Sequence, residues 1–449
     1  MNKECSDRIH FEGLVVVRRG PGCRDPCDSR AGSRRGHGTG VGPDRSGAVD
    51  RVSPGTYHRG VKGESRSSTL GPLGPQRHLF TIDPEVAYFN AAYMAPRLRA
   101  VQEAGERALV ATSRPWDLVA SDFFSMSERC RTLFARLINA EPDDVALVPS
   151  VSYGIGVAAS NLPCARGQSI LVLEEQFPSN YYPWQALARR QGAEIHVVPR
   201  PRDRDWTSAI LAALATLGDQ LAIVALPNCH WTDGSLIDLV QVGTETRRIG
   251  ARLALDVTQS LGMFPLDVTE IQPDFLCCAG YKWLLGPYSV GFLYASKEHH
   301  DGVPLEYNWI TRENSEDFAG LVRYRDGYQS GARRFDMGEN SNFLLLPMVI
   351  AALEQILDWT PARTAEALSR VTGRIAGEAA ELGLAVAPRS LRVGHLLGLE
   401  FPDGVPSSLA ETLRRAKIHV SVRGSAIRIA PHLCTTDEDV DRLMRALQE

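Results

Sequence analysis

The sequence lacks an apolar stretch long enough to cross a membrane. A membrane-spanning helix needs about 20 consecutive apolar residues. The longest candidate, Phe343 to Leu353, is shorter, contains Pro347 and runs into Glu354. This stretch is better interpreted as a buried helix of a globular protein, and we expect no membrane as a partner.

The sequence also lacks a large excess of charge of either sign. It contains 49 Lys and Arg residues against 53 Asp and Glu residues, which gives a net charge of −4 at pH 7. Proteins that bind nucleic acids or anionic membrane surfaces usually carry a basic excess. The bulk charge therefore gives no indication of a nucleic-acid partner, and a small-molecule substrate is expected instead.

Nine cysteines are present, but they lack the spacing of a metal site or a disulfide framework. There is no pair of Cys-x-x-Cys motifs and no His/Cys cluster with zinc spacing. Cys277 and Cys278 lie in an apolar run, where free cysteine packs as a small hydrophobic residue. We therefore expect free thiols in a reducing compartment, a cytoplasmic location and no metal.

The first 76 residues differ in composition from the rest of the chain. They are rich in Arg, Gly, Ser and Pro and show no sustained apolar period, so they cannot bury enough surface to offset the entropy of folding. The run Leu14 to Val17 is too short for a secretory signal, and the acidic residues are atypical of a transit peptide. We interpret residues 1–76 as disordered or as an extension outside the working protein, with a basic tail that touches nucleic acid as the alternative.

From about Gln76 onward, short β-branched runs alternate with amphipathic stretches of helical length. The predicted strands are Val145–Pro149, Ser169–Leu173, Glu194–Val198, Leu221–Leu226, Arg252–Asp256, Asp274–Cys278 and Val290–Tyr294. Helical patterns lie between the earlier strands, at Trp184–Gln191, Trp206–Leu217 and Leu236–Ile249. This alternation predicts an α/β fold over residues 77–342, with a mostly parallel sheet covered on both faces.

A long helical stretch from Ser341 to Trp359 opens the last part of the chain. Beyond it, shorter strands and helices are predicted at His395–Phe401, Ser408–Arg415, His419–Arg423, Ala426–Ala430 and Asp437–Leu447. This pattern predicts a second, smaller α+β domain at residues 343–449.

Polar residues follow several predicted strands, at the sheet edge where α/β proteins bind ligands. Lys282 follows an apolar strand, where partial desolvation lowers the pKa of an amine and favours imine formation; a surface lysine that opens a loop is the alternative. Asp256 ends an apolar strand, where a carboxylate needs a cationic or hydrogen-bonding partner. This partner is a pyridinium nitrogen, or Asp256 is the N-cap of a helix that starts near Gln259. Ser152 opens a helix, either as its N-cap or as a phosphate ligand.

These groups together suit one aldehyde cofactor, pyridoxal 5′-phosphate (PLP). A lysine amine forms an imine with the aldehyde, and a carboxylate pairs with the pyridine nitrogen. Hydroxyls and backbone amides at a helix N-terminus bind the phosphate. An aromatic side chain stacks on the ring.

The segment Asp256-Val-Thr-Gln-Ser-Leu-Gly, followed by Ala279-Gly-Tyr-Lys-Trp, resembles the class V aminotransferase family of PLP-dependent enzymes. The resemblance covers roughly residues 80–447. It implies the fold of a fold-type I PLP-dependent transferase, with a large, mostly parallel sheet domain and a smaller C-terminal α+β domain. The family includes cysteine desulfurases, kynureninases and isopenicillin N epimerase-like proteins.

The resemblance implies a role for each matching residue. Lys282 is the Schiff-base lysine, and Asp256 is the carboxylate on the pyridine nitrogen. Phe177 matches the ring-stacking position, with a core phenylalanine as the alternative, and Trp231 falls where many relatives carry an asparagine beside the cofactor. The phosphate and phenolic oxygen of PLP are expected to contact Gln259, Ser152, Tyr153 and Tyr281.

Arg428, which lies in an alternating Ile-Arg-Ile pattern, matches the arginine that binds the substrate carboxylate. A planar guanidinium makes two parallel charge-assisted hydrogen bonds and so fixes a carboxylate firmly. A solvated strand face is the alternative interpretation of this pattern, and Arg423 is a second candidate for the carboxylate.

The segment from Gly331 to Asn340 resembles a loop that reaches into the phosphate site of the partner subunit. Relatives usually carry threonine where this chain has Glu339, and a carboxylate repels a phosphate. Asn340 or Ser341 is therefore expected to make the contact, with a Glu339 side chain turned toward the substrate as the alternative, and Trp309 is expected to line the same neighbouring site. These contacts imply a homodimer with shared active sites.

The resemblance implies chemistry at the α-carbon of an amino acid or a modified amino acid, through a substrate Schiff base and a carbanion. Transferase or lyase chemistry is expected, and an epimerase or racemase of the isopenicillin N epimerase type stays open. A cysteine desulfurase needs a mobile cysteine shortly before the substrate arginine, whereas the segment Val422 to Arg428 is short and contains none.

Two further alternatives come from other classes of protein. A non-catalytic PLP-fold binding protein is favoured by the departures at Trp231 and Glu339. An NAD-linked dehydrogenase needs a Gly-x-Gly-x-x-Gly turn after its first strand, and the chain contains no such motif.

Overall fold

The computed structural model describes residues 71–449. Most of the predicted N-terminal extension, residues 1–70, lies outside the described residues. Within the described part, no helix has the length and apolar composition needed to span a bilayer.

The strands and helices alternate through most of the chain. The strands are β1 (Ala87–Tyr88), β2 (Val145–Val148), β3 (Ser169–Leu173), β4 (Glu194–Val198), β5 (Leu221–Pro227), β6 (Arg252–Asp256), β7 (Phe275–Ala279), β8 (Gly291–Ala295), β9 (Leu397–Glu400), β10 (Ile418–His419), β11 (Ser421–Arg423) and β12 (Ala426–Ile429). The α-helices are α1 (Arg99–Ala111), α2 (Asp122–Ile138), α3 (Val151–Asn161), α4 (Tyr182–Gln191), α5 (Trp206–Leu217), α6 (Leu239–Arg248), α7 (Val268–Ile271), α8 (Leu346–Trp359), α9 (Pro361–Glu381), α10 (Leu409–Arg415) and α11 (Asp437–Gln448).

A seven-stranded sheet forms the centre of the fold, in the order β2-β8-β7-β6-β5-β3-β4. Neighbouring strands are parallel except for β8, which runs antiparallel to both β2 and β7. The predicted mostly parallel sheet is therefore confirmed. In the register, Asp256 at the end of β6 lies beside Pro227 on β5 and Cys277 on β7, so the carboxyl ends of these strands form one continuous edge.

The central strands are apolar on both faces because helices cover both sides of the sheet. On β6, Leu253 and Leu255 belong to one buried cluster and Ala254 belongs to another. Side chains of β-strands alternate between faces, so this division reflects the pleat. The first cluster includes residues of α1, α2, α5 and α6, and the second includes residues of α3 and α4.

A buried ion pair joins α2 to the segment that precedes α8. The Arg131 guanidinium donates a hydrogen bond of 2.9 Å to Asp336 Oδ1 and one of 2.6 Å to the carbonyl of Val145. Asp336 Oδ1 also accepts a hydrogen bond from the Leu147 backbone amide at 2.7 Å. These bonds fix the segment after residue 331 against the edge strand β2.

The C-terminal part of the chain builds a second, three-stranded antiparallel sheet in the order β11-β12-β9. A third buried cluster packs residues from β9, β12 and helices α9, α10 and α11. The same cluster contains Ala87 and Phe89, because β1 pairs with β10. The division into domains at residues 342 and 343 stays a prediction.

Candidate active site

A cavity opens at the carboxyl edge of the large sheet. It encloses about 210 Å³. Its walls come from the segments that follow β2, β3, β5, β6 and β7. The lining residues include Ser150, Ser152, Gln176, Phe177, Asn180, Cys229, His230, Trp231, Asp256, Thr258, Gln259, Tyr281, Lys282 and Tyr288.

Lys282 lies in this cavity three residues after the end of β7, with 6% of its surface exposed. Burial lowers the pKa of its amine from 10.5 to about 8, and the opposing attraction of Asp256 keeps the pKa from falling further. The turn before it depends on Gly280, because a Cβ at this position would lie 2.6 Å from the carbonyl oxygen of Val290. The amine is therefore held in an apolar setting by a turn that a larger residue cannot form.

Asp256 is buried at the end of β6 and lines the cavity. Desolvation raises the pKa of its carboxyl group, which is offset in part by hydrogen bonds from Thr258 and by the charge of Lys282. Its Oδ1 accepts a hydrogen bond of 3.0 Å from the Thr258 amide. The interpretation of Asp256 as a helix N-cap is wrong, since turns rather than a helix follow β6.

The N-terminus of α3 faces the cavity through Ser150 and Ser152. Ser150, not Ser152, is the N-cap: its hydroxyl accepts the backbone N–H of Tyr153 at 3.2 Å. The N-cap interpretation of Ser152 is therefore wrong, and its hydroxyl lies 2.9 Å from that of Ser150. The first amides of a helix have no intrahelical partner, so this end of α3 presents donors to an anion.

Asn180 also lines the cavity, although the sequence did not indicate a role for it. Its Oδ1 accepts a hydrogen bond of 3.0 Å from Trp184 Nε1, while its Nδ2 is buried and has no hydrogen-bond partner within the described residues. A buried amide without a partner is costly, so a polar ligand in the cavity would stabilise it. Asn180 belongs to the segment 177–180 that follows β3. The position of this segment after a strand could be predicted, but the direction of the Asn180 side chain cannot be read from the sequence.

Aromatic rings form the walls on either side of the amine. The Lys282 amine lies 5.2 Å from the ring centre of Phe177 and 5.7 Å from that of Tyr281. Phe177 contacts Trp231 edge to face at 5.6 Å. Trp231 is itself fixed by a hydrogen bond of 2.7 Å from its Nε1 to the carbonyl of Glu175.

Gln259 also lines the cavity, but both ends of its amide are hydrogen-bonded within the chain. Its Nε2 donates to the carbonyl of Ala92 at 3.1 Å, and its Oε1 accepts from Trp283 Nε1 at 3.0 Å. One N–H of the amide is left for a ligand. Gln259 thus links the segment after β1 to the residue that follows Lys282.

Arg428 lies on β12 and borders an adjoining part of the cavity together with Lys282 and Trp231. It is 1% exposed, and burial lowers the pKa of its guanidinium to about 9. Its Nη1 donates to the carbonyl of Trp231 at 2.9 Å, whereas its Nε has no hydrogen-bond partner among the described residues. Arg423 borders the same space.

Three of the predicted site residues do not line this cavity. Tyr153 lies on α3 outside the lining of the cavity. Burial raises the pKa of its hydroxyl, and the negative charges of Glu306 and Asp336 raise this pKa further. Asn340 Nδ2 donates to Asp336 Oδ2 at 2.6 Å. Trp309 packs against Phe318, 5.4 Å away. The roles of Asn340 and Trp309 at a neighbouring subunit stay predictions.

Comparison with known proteins gives a family and several relatives. The model of the family "Aminotransferase class-V" matches residues 95–321, a little over half of the chain. The uncharacterized aminotransferase YcbU of Bacillus subtilis is 29% identical over 354 residues, covering 78% of this chain and 90% of the relative. An isopenicillin N epimerase of Streptomyces clavuligerus is 25% identical over 381 residues, covering 82% and 95%.

Solved structures show the same fold at lower identity. A C-DES mutant with glycine covalently linked to its PLP cofactor superposes with a TM-score of 0.76 at 20% identity, covering 84% of this chain and 99% of that one. A cysteine desulfurase from Thermococcus onnurineus superposes with a TM-score of 0.72 at 20% identity, covering 83% and 96%. At this identity the likeness shows the fold alone, and the predicted fold-type I architecture is confirmed.

The chemistry of the cavity fits PLP. A buried amine with a lowered pKa lies near a buried carboxylate, the N-terminus of α3 lines the cavity, and the Asn180 amide has no partner within the described residues. These are groups that an aldehyde, a pyridine nitrogen and a phosphate require. The chain therefore belongs to the class V aminotransferase family, whose enzymes use PLP as cofactor.

Proposed function

We propose that the chain transfers the amino group of an α-amino acid, with Lys282 as the residue that binds PLP and moves the Cα proton. The observation that carries the proposal is the Lys282 amine, which is buried, has a pKa of about 8 and borders both the cavity at the sheet edge and the adjoining space that contains Arg428. An amine with this pKa is a base near neutral pH.

Each part of PLP would have a partner among the residues of the cavity. Asp256 would pair with the pyridine nitrogen, and the N-terminus of α3 with Ser152 and Tyr281 would bind the phosphate. Phe177 would cover one face of the ring and keep water away from it. When bound, PLP withdraws electrons from the bonds at the α-carbon of the substrate.

Arg428 binds and orients the substrate through its α-carboxylate. Its unpaired Nε and remaining N–H groups can form two parallel charge-assisted hydrogen bonds. Such a contact turns the α-carbon toward the Lys282 amine, because both side chains border the same space. Lys282 Nζ would then take the proton from the α-carbon and release it away from that carbon, because return of the proton to the α-carbon would regenerate the amino acid and give no 2-oxo acid.

The neighbouring histidine does not compete for this role. The ring nitrogens of His230 lie 3.1 Å from the carbonyl oxygen of Glu174 and 2.7 Å from Thr232 Oγ1. Burial lowers the pKa of His230 to about 4, so its ring is neutral at pH 7 and already hydrogen-bonded. A single base supports transfer of one proton along one face of the substrate, which is what amino-group transfer requires.

Epimerisation of the α-carbon is the second candidate. The relative named isopenicillin N epimerase covers most of this chain and favours it. Cysteine desulfuration is disfavoured by the connection between β11 and β12, which is the short turn Gly424–Ser425 and contains no cysteine. Cys229 lines the cavity, but burial raises the pKa of its thiol, which keeps it protonated.

We further propose that the enzyme is a homodimer in the cytoplasm. Large apolar side chains are exposed in the segments around α1 and before residue 331, including Trp116 (77% exposed) and Tyr324 (98% exposed), and exposed apolar surface supports an interface. The cysteines within residues 71–449 are free thiols, which suits a reducing compartment. Sedimentation analysis tests the dimer, and a monomer at micromolar concentration would contradict it.

The test of the reaction uses the purified holoenzyme with a panel of L-amino acids. Amino-group transfer is supported when the 2-oxo acid of the amino acid appears and a second 2-oxo acid restores the starting absorbance. Accumulation of the D-enantiomer without oxo acid would favour epimerisation, and loss of the side chain would favour a lyase. The Lys282→Ala variant should keep its fold and lose the reaction, and unchanged activity would refute the proposal.

A further inference from the structure

Two arginines on neighbouring strands face the substrate side of the cavity. In the antiparallel register of β11 and β12, Arg428 lies opposite Ser421 and Arg423 lies opposite Ala426. Arg423 is two residues beyond Ser421, so it projects from the same face of the sheet as Arg428. Such diagonal neighbours lie roughly 7–8 Å apart, and both side chains border the same space beside Lys282.

Trp231 holds both guanidinium groups in place. Its carbonyl accepts the hydrogen bond from Arg428, and its ring lies 5.3 Å from the Cζ atom of Arg423. The indole is fixed in turn by its bond to the carbonyl of Glu175. Trp231, whose role the sequence left open, is thus a platform that positions the second arginine through a cation–π contact.

Neither guanidinium has a carboxylate partner in the described residues. No ion pair in residues 71–449 includes Arg423 or Arg428, and the Nε atom of each is buried without a hydrogen-bond partner. No Asp or Glu lines the space that they border. Each guanidinium donates one hydrogen bond to a backbone carbonyl, of Val422 for Arg423 and of Trp231 for Arg428. Two partly buried positive charges without a negative partner are costly, which indicates that anionic groups of a ligand complete the site.

The phosphate of the cofactor does not supply these anionic groups. The serines at the N-terminus of α3 line the first cavity, whereas Arg423 and Arg428 border the adjoining space. A single α-carboxylate is satisfied by one guanidinium in a bidentate contact. With Arg428 occupied in this way, Arg423 is left for a second anionic group.

We propose that the substrate is an α-amino acid with a second carboxylate in its side chain, and that Arg423 binds this second carboxylate. The inference rests on the proposed function, in which Arg428 binds the α-carboxylate. Arg423 is thereby the residue that distinguishes acidic from neutral amino acids.

The test compares acidic amino acids with their neutral amides. The holoenzyme is mixed with L-aspartate, L-asparagine, L-glutamate or L-glutamine, and the second-order rate constant is read from the absorbance change of the bound cofactor. At least one acid should react faster than its amide by on the order of 10- to 100-fold, the effect of one charge-assisted contact. In Arg423→Gln this ratio should approach one, while Arg423→Lys should retain part of it. Arg415→Gln, the same change at an exposed arginine, is the matched control and should keep the full ratio.

A binding measurement without chemistry supplements the kinetics. Succinate and propionate differ by one carboxylate and have no amino group, so neither reacts with the cofactor. Calorimetry should show succinate binding to the holoenzyme more tightly than propionate, and Arg423→Gln should remove the difference.

The outcomes separate the inference from the proposed function. If neutral amides react as fast as the acids, or if Arg423→Gln slows both equally, the inference is overturned and the proposed function stands. An equal loss would mean that Arg423 shares the α-carboxylate with Arg428. If no amino acid changes the absorbance, the proposed function fails, and the inference fails with it.

Discussion

The buried amine of Lys282 should give uptake of PLP an unusual pH dependence. The uncharged amine is the form that attacks an aldehyde. Burial lowers its pKa from 10.5 to about 8. At pH 7.5 roughly a quarter of the amines are therefore uncharged, compared with about one in a thousand for an ordinary lysine.

The assay is the rate of appearance of the Schiff-base absorbance after PLP is mixed with cofactor-free protein between pH 6 and 11. The rate constant should rise with pH, reach half its maximum near pH 8 and then level off. An N-acetylated lysine amide in the same buffers is the control for the titration of PLP itself. Lys297→Arg, a change at an exposed lysine of the protein, is the control for Schiff-base formation away from the cavity. A rate that keeps rising up to pH 10 or above would refute the desolvation argument.

A second arm of the experiment tests the role of Asp256. Its negative charge opposes the effect of burial on the Lys282 amine. Replacement of Asp256 by Asn removes this attraction and should move the midpoint below pH 8. A midpoint that moves upward would show that the carboxylate does not act on the amine.

The remaining predictions concern binding and stability. Arg428→Ala should raise KM for amino acids by on the order of 10- to 100-fold, because a charged hydrogen-bond partner is left unpaired; an unchanged KM in steady-state assays would move the carboxylate site elsewhere. Gly154→Ala should destabilise the protein by about 1–3 kcal/mol in urea unfolding, since its Cβ would lie 2.6 Å from a sulfur on β7. Gly377→Ala, where the space around the Cβ is open, should instead stabilise α9 by about 0.5–1 kcal/mol. Asp336→Ala should cost about 3–5 kcal/mol in the same assay, because the buried Arg131 guanidinium loses its buried carboxylate partner and keeps only the partly exposed Glu128 and the carbonyl of Val145; a smaller loss would indicate that water enters the site.

The central strands were predictable because their apolar runs are short and bounded by turn residues. The predicted bounds of β3, β4 and β6 agree with the structure residue for residue. Helix α9 was not predicted, because its buried face consists largely of small or polar residues such as Thr364, Ala367 and Thr372. Small and polar residues at these buried positions leave no apolar run that would mark the helix in the sequence.

The candidate site was predictable where its residues follow strands. Asp256 ends β6 and Lys282 follows the neighbouring strand β7, so their proximity follows from the topology. The contact between Trp231 and Arg423 joins positions almost 200 residues apart and depends on rotamers that the sequence does not reveal. The free amide of Asn180 became visible only with the direction of its side chain.

The pairing of β1 with β10 has a consequence for the order of assembly. Ala87 pairs with Ile418, and Ala92, a few residues after β1, accepts the hydrogen bond from the Gln259 side chain beside the cavity. During synthesis the chain emerges from its N-terminus, so β1 must wait for more than 300 further residues before its partner exists. Contacts of such long sequence separation form slowly. The cavity is therefore completed only after residue 418 has been synthesised, and a ribosome-bound chain that stops before residue 418 should be unable to retain PLP.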